Sequence, residues 1–215
     1  MKVKVCGITN YRDASMALSL GADALGFNFY ARSSRYIAPV AARRIGERLP
    51  PFVTKVAVCV NEAIPEVERW ARQAGADVLQ LHGDETPEYC SSIAGLKLIK
   101  TLRIGEGFRP VALDTYPVSA FLLDTRHPGQ YGGTGKSFDW KLAAAVRTRR
   151  PLILAGGLNA ENVADAIRAV RPYAVDVCSG VESAPGKKDR GRLVAFMNEV
   201  YRASRDIHVQ ERAPA

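Results

Sequence analysis

The sequence predicts one (β/α)8 TIM barrel, and three observations carry the prediction. Eight short apolar runs of strand length alternate with amphipathic segments of helical period along 215 residues. The runs begin roughly 20 to 30 residues apart with no interruption resembling a domain linker, as consecutive βα units of a barrel would. Polar and glycine-rich groups gather just after the runs, where parallel sheets and barrels carry their chemistry. A doubly wound open sheet is the competing architecture, but its edge strands would be poorer in apolar residues, and none of that kind is evident.

The elements follow in order. Lys2–Cys6 alternates and stops at Gly7, a short first strand. Thr9 or Asn10 caps a helix from about Tyr11 to Leu20, which Gly21 ends. Ala24–Phe29 is the second strand, Pro39 opens a helix to about Leu49, and Thr54–Val60 is the third strand. Ala63–Ala74 places Val67, Trp70, Ala71 and Ala74 on one helical face, and Val78–Leu81 follows as strand four. G-A-D-A-L-G at 21–26 and G-A-D-V-L-Q at 75–80 echo one another, as a repeated βα unit would. A helix from Thr86 or Glu85 to Ile93, strand Leu96–Thr101, a short helix near Pro110–Thr115 and strand Phe121–Leu123 come next. Helix Asp139–Thr148, strand Pro151–Ala155, a helix Asn162–Val170 capped by Asn159, strand Ala174–Cys178 and helix Arg190–Ala203 complete the chain. The expected barrel domain is 1–205, and the aperiodic tail 206–215 is expected to fray.

Composition narrows the function. Apolar residues make up 47% and charged residues 24%, an ordinary globular balance. No run approaches 18 apolar residues and the N-terminus lacks the apolar core of a signal peptide, so a cytoplasmic protein with no membrane partner is expected. Cys6, Cys59, Cys90 and Cys178 form no C-x-x-C pair, which argues against zinc and against a disulfide framework. The formal charge of +8 is dispersed, and its densest clusters, 147–150 and 187–192, lack the interleaved aromatics of a nucleic-acid platform. A small anionic substrate is the better match for basic residues near a cleft, and solvated faces account for the rest.

Asp124 is the first catalytic candidate. It ends the run A-F-L-L-D at 120–124, and an acid at the carboxyl end of a parallel strand sits on the chemical face of a barrel. The same filter selects Cys6, Gly7, Asn28, Arg32, Arg35, His82, Arg103, Gly156, Gly157, Asp176, Ser179 and Gly180. Glycines after strands seven and eight, in L-I-L-A-G-G-L-N and V-D-V-C-S-G-V-E, suit a phosphate held by backbone amides. Cys6 needs only modest positive potential, from Arg35 or backbone amides, to serve as a base near neutrality. His82 reads as a base or a structural histidine, while Cys59 and Cys178 read as packing residues. G-G-T-G-K-S at 132–137 is not a nucleotide P-loop, because Gln130 stands where the first glycine belongs. It reads as a flexible lid, with Lys136 either reaching an anion or lying on the surface.

These motifs carry a family resemblance. K-V-C-G-I-T at 4–9, Q-L-H-G-D-E at 80–85, F-L-L-D-T at 121–125 and G-G-T-G-K-S-F-D-W at 132–140 resemble the phosphoribosylanthranilate isomerases of tryptophan biosynthesis. I-L-A-G-G-L-N-A-E-N-V at 153–163 and D-V-C-S-G-V-E at 176–182 complete the likeness, which runs in order from residue 2 to about residue 200. The resemblance implies a single barrel and a cofactor-free, metal-free Amadori rearrangement of N-(5-phosphoribosyl)anthranilate. It puts the family's general-base cysteine at Cys6, its general-acid aspartate at Asp124 and its substrate arginine at Arg35. It puts the phosphate turns at Gly156, Gly157, Ser179 and Gly180, and leaves Asp176 either facing the anthranilate amine or purely structural. The sequence leaves open whether the chain associates with neighbouring tryptophan-pathway enzymes. Two departures stand out: S-S-R at 33–35 where S-P-R is common, and Cys178 where serine is expected. A general acid at Asp124 needs a carboxyl that holds its proton, which partial burial favours. The histidine-pathway isomerase, which uses paired aspartates, and metal-dependent epimerases are the competing barrel enzymes. A non-catalytic phosphate-binding barrel is the competing class.

Overall fold

The computed structural model describes residues 1–105, 108, 113–125 and 140–212, with side chains to 207. Eight strands close into one parallel barrel in sequence order. They are β1 (Lys2–Cys6), β2 (Ala24–Asn28), β3 (Thr54–Cys59), β4 (Val78–Leu81), β5 (Lys97–Ile104), β6 (Ala120–Thr125), β7 (Leu152–Leu154) and β8 (Ala174–Val177). The last strand pairs back onto the first, with Lys4 beside Asp176 and Val5 beside Val177. Helices α1 (Tyr11–Ser19), α2 (Pro39–Gly46), α3 (Ile64–Ala74), α4 (Pro87–Ser91), α5 (Trp140–Ala144), α6 (Val163–Val170) and α7 (Arg190–Arg212) cover the outside.

Strand alternation divides the core in two. Val56, Val58, Val78, Ile99, Ala120, Leu122, Ile153, Ala155 and Ala174 fill the barrel interior. Residues of opposite parity, such as Val5, Leu25, Leu79, Phe121, Leu123 and Val175, point outward and pack under the helices. Each fully buried Leu or Phe contributes about 1.5–3 kcal/mol, so the two layers dominate stability.

Local signals set the helix ends. The Asn10 side chain accepts from the Asp13 amide at 2.9 Å to start α1, and Thr86 does the same for α4 from Tyr89 at 3.3 Å. Gly75, at φ 61°, ends α3 in the left-handed region that favours glycine. The G-A-D echo has a shared purpose. Asp23 accepts from the Val3 amide at 2.9 Å, and Asp77 from the Lys55 amide at 2.7 Å. Each aspartate thus ties its own strand entry to the start of the strand one βα unit earlier, on the face away from the candidate site.

Three expectations change. Strands β5 and β6 run longer than their apolar cores because Arg103 pairs in register with Asp124 and Ile104 with Thr125. A hairpin of β9 (Glu182–Ala184) and β10 (Lys187–Lys188), absent from the sequence reading, follows β8. The segment after Arg205, read from the sequence as aperiodic, continues as helix to Arg212, with Asp206 paired to Arg168 and Ile207 against the core, and residues 213–215 lie outside the described residues. The glycine-rich lid, Lys136 and His127 lie outside the described residues, as do the start of the helix expected from Pro110 and the side chain of His208. Among the described residues no helix is long and apolar enough to cross a membrane.

Candidate active site

Alternation on β1 turns Lys4 and Cys6 into the barrel while Val3 and Val5 face the helices. Gly26 is the register partner of Cys6 on β2. A Cβ there would fall 2.7 Å from Cys6 Sγ and 3.1 Å from Lys4 Nζ, so glycine makes the room in which thiol and ammonium lie side by side. The Cys6 thiol is held well below its ordinary range, chiefly by its hydrogen bond with Cys178. Burial opposes this, and the charges of Lys4, Lys188 and His82 reinforce it. The positive potential at the thiol therefore comes chiefly from two lysines, not from Arg35 as the sequence suggested.

Lys4 Nζ also donates to Asp176 Oδ1 at 2.9 Å, deep in the barrel. Burial works against the Lys4 charge, yet Asp176 and Cys6 outweigh it and raise the ammonium above its ordinary value. Burial pushes the Asp176 carboxyl up to about 7, although Lys4 pulls the other way. Asp176 thus lies one strand step below the mouth and is engaged by the chain's own lysine.

Across the mouth, β6 presents Asp124, which is buried. Its Oδ1 accepts from the Thr125 amide at 2.8 Å and its Oδ2 lies 3.0 Å from His82 Nε2. The other ring nitrogen, Nδ1, is 2.8 Å from Gln80 Nε2 and 3.2 Å from Thr101 Oγ1. Two polar side chains therefore orient an imidazole whose far edge meets the carboxylate, the usual way a histidine ring is fixed. Residues 80, 82, 101 and 124 share the inward parity of three neighbouring strands, which is why they meet.

The third cluster centres on Glu182, buried at the start of β9. Arg35 reaches it from the loop after β2, with Nε at 3.1 Å and Nη2 at 2.7 Å from Oε2. Lys188 Nζ lies 2.8 Å from Oε1 and also donates to the carbonyls of Cys6 at 2.5 Å and Cys178 at 3.3 Å. Burial would raise the Glu182 carboxyl, but Arg35 and Lys188 hold it below its ordinary range. The arginine loop is shaped by Ser33, whose hydroxyl accepts from Asn28 Nδ2 and from the Arg35 amide, each at 3.1 Å. Those bonds brace the turn where Ser34 replaces the proline common in the resembling family.

The glycine turns converge beside this cluster. Gly156 and Gly157 have φ of 86° and 65°, which favours glycine at both. A Cβ on Gly180 would collide with the Leu158 carbonyl oxygen, so the loops after β7 and β8 touch backbone to backbone. Asn162 Nδ2 donates to the Gly157 carbonyl at 3.0 Å and braces the first loop. Ser179 opens the short 3₁₀ turn Ser179–Val181 that carries Gly180.

Cys6, Asp124, Arg35, Asp176, Gly156, Gly157, Ser179 and Gly180 thus gather at one end of the barrel, with His82 against Asp124. Arg103 pairs instead with Asp84, and Arg32 is exposed. Cys59 is buried on an outward position, as a packing residue is, whereas Cys178 is half-buried at the mouth beside Cys6. Lys4, Gln80, Thr101, Glu182 and Lys188 were not picked out from the sequence. Lys4, Gln80 and Thr101 had a signal there, two residues before strand-end candidates and so on the same strand face. Among the described residues no group of three or more His, Cys, Asp or Glu side chains is arranged to hold a metal ion.

A closed barrel whose carboxyl-terminal mouth offers a thiol, a carboxyl–imidazole pair, an arginine and paired glycine turns defines a (β/α)8-barrel enzyme. Comparison with known proteins makes the class specific. The profile of the N-(5'-phosphoribosyl)anthranilate isomerase family matches residues 3–199. The N-(5'-phosphoribosyl)anthranilate isomerase of Geobacter sp. strain M21 is 48% identical over 203 residues, 94% of this chain and 99% of that protein. The crystal structure of phosphoribosyl anthranilate isomerase from Thermus thermophilus superposes with a TM-score of 0.87 at 42% identity, covering 94% of this chain and 99% of the other. A phosphoribosyl anthranilate isomerase in complex with reduced 1-(o-carboxyphenylamino)-1-deoxyribulose 5-phosphate has a TM-score of 0.81 and 42% identity, covering 94% and 98%. The chain belongs to the phosphoribosylanthranilate isomerase family.

Proposed function

We propose that the chain catalyses the Amadori rearrangement of N-(5-phosphoribosyl)anthranilate to 1-(2-carboxyphenylamino)-1-deoxyribulose 5-phosphate, the isomerisation step of tryptophan biosynthesis. The observation that carries the reading is the pairing of an activated Cys6 on β1 with a histidine-backed Asp124 on β6 at one mouth. Asp124 gives a proton to the furanose ring oxygen, and the ring opens to an iminium ion. As the carboxylate forms, the Nε2 edge of His82 stabilises it by hydrogen bonding. The Cys6 thiolate then removes the proton on C2 of the sugar, and the iminium nitrogen takes up the electron pair. The resulting enolamine tautomerises to the ketone, so the substrate's own nitrogen is the electron sink.

Binding follows from the surrounding groups. The amides around Gly156, Gly157, Ser179 and Gly180 hold the phosphate, where the β7 and β8 loops meet. Arg35 is clamped by Glu182 along its Nε–Nη2 edge, so the anthranilate carboxylate meets the remaining Nη1–Nη2 end. Asp176 faces the same interior from below, where its bond to Lys4 makes it a support for the thiol more than a free acceptor for the anthranilate amine. The test is conversion of freshly made substrate by wild type and Asp124→Asn, with the aminoketose product identified by mass and chromatography. A variant lowered by roughly 10²-fold or more in kcat with KM near wild type is the expected result. Full activity in Asp124→Asn would remove the acid assignment.

A further inference from the structure

Among the described residues, Cys178 is the one thiol at the mouth that this reaction leaves without a step. We propose that Cys6 and Cys178 form an oxidisable dithiol, which a hydroperoxide closes into a disulfide that withdraws Cys6 from catalysis and which a dithiol reductant reopens.

The barrel's closure puts the two sulfurs together. Lys4 pairs with Asp176 and Val5 with Val177 across β1 and β8, so Cys6 and Cys178 are the next positions in that register. Adjacent strands run about 4.8 Å apart, inside the Cα separation a disulfide spans. Alternation turns both side chains inward, since Val5 and Val177 between the inward pairs are buried on the outer face. Lys188 holds the two backbones in place by donating to both carbonyls. A Cβ on Gly7 would fall 2.9 Å from Cys178 Sγ, so the turn after β1 passes directly over that sulfur. Both thiols are half-buried at the open mouth, whereas Cys59 and Cys90 are buried outside the barrel wall.

The charges around the pair assign the roles. Lys4 stands beside Cys6, and the Glu182 carboxylate stands 3.9 Å from Cys178 Sγ. The negative charge therefore settles on Cys6, and Cys178 keeps its proton. The Cys6 thiolate attacks one peroxide oxygen, the O–O bond breaks, and Cys6 becomes a sulfenic acid with release of hydroxide. The Cys178 sulfur then attacks the Cys6 sulfur. The S–S bond forms as the S–O bond breaks, and the departing hydroxide leaves as water with the Cys178 proton. With hydrogen peroxide the sum is two thiols and one peroxide giving one disulfide and two waters, the sulfurs losing the two electrons that the O–O bond gains. Closing the pair also spares Cys6 from the irreversible sulfinic state, for which a serine at 178 offers no protection.

The test is a peptide map and intact mass of the purified chain after brief treatment with hydrogen peroxide, with turnover followed in parallel. Wild type should lose about 2 Da, with the Cys6 and Cys178 peptides joined and Cys59 and Cys90 still free. Turnover should fall roughly 10²-fold and return with dithiothreitol. The Cys178→Ser variant should instead gain about 32 Da on Cys6 and stay inactive after reduction. Wild type carrying sulfinic acid on Cys6 with Cys178 unmodified would overturn the dithiol and leave the base assignment untouched. A quantitative crosslink with undiminished turnover would overturn the switch by removing Cys6 from catalysis.

Discussion

Replacing Lys4 by methionine separates the electrostatic role of this lysine from its packing role. Methionine keeps the length of the buried stem and deletes only the ammonium, which lies beside Cys6 and 2.9 Å from Asp176. Two unit charges about 5 Å apart at an effective dielectric near 20 interact by about 3 kcal/mol. Asp176 offsets part of the loss. Its carboxyl already stands at about 7 with the partner present, so without Lys4 it is neutral near pH 7 and no longer repels the thiolate. About half the interaction remains, about 1.4 kcal/mol, which is about tenfold in kcat/KM at pH 7. The assay is kcat/KM against pH. The acid limb, which reports the free enzyme's base, should move to higher pH in Lys4→Met, and the ratio of wild type to variant should approach one on the alkaline side. A uniform loss with an unmoved acid limb would refute the electrostatic role. Thermal denaturation gives a second readout. A carboxyl raised in the folded state contributes stability that is complete below its unfolded value of about 3.9 and lost as pH climbs through the folded one. In wild type that loss runs from about 3.9 to about 7 and is complete above it, and without Lys4 it extends upward, so the variant's Tm deficit should widen above pH 7.

Glu182→Gln removes the carboxylate that both Arg35 and Lys188 hold, leaving a buried lysine and a partly buried arginine, and should cost about 3 kcal/mol in urea denaturation together with a raised KM. An unchanged midpoint would show the cluster to be dispensable. Gly180→Ala drives a methyl into the Leu158 carbonyl and should spread the two loops assigned to the phosphate, raising KM at least tenfold with a smaller change in kcat. Normal KM in that variant would place the phosphate elsewhere.

Much of this organisation was legible in the sequence because barrel strands carry it twice, in apolar run length and in the residues that close each run. Gly7, Gly21, Gly75 and the pair Gly156–Gly157 all adopt positive φ, so the turns that delimit the elements were written as glycines. Cys6 and Asp124 could be found because each stands near the carboxyl end of its strand in step with the inward positions, while the neighbours Val5 and Leu123 pack outward under the helices. Lys4 was harder to recognise. Lys2 and Lys4 look alike in K-V-K-V-C, yet Lys2 is exposed at the far rim while Lys4 is buried beside the thiol. Glu182 and Lys188 were hidden for a different reason. Lys188 sat in a basic cluster that reads as a solvated face, and only the β9–β10 hairpin folds it back over the barrel. His82 was ambiguous for the same cause, since its meaning depends on Asp124, a residue 42 positions away.

The most direct test of the central claim is the loss of anthranilate-type fluorescence when purified protein meets freshly made N-(5-phosphoribosyl)anthranilate, with Cys6→Ser and an enzyme-free blank alongside. Wild type should consume the substrate well above the blank, and Cys6→Ser should fall by roughly 10²-fold or more with KM near normal, because a hydroxyl is a far poorer base. Equal rates in the two proteins would contradict the thiolate mechanism, and no consumption above the blank in wild type would contradict the proposed reaction itself.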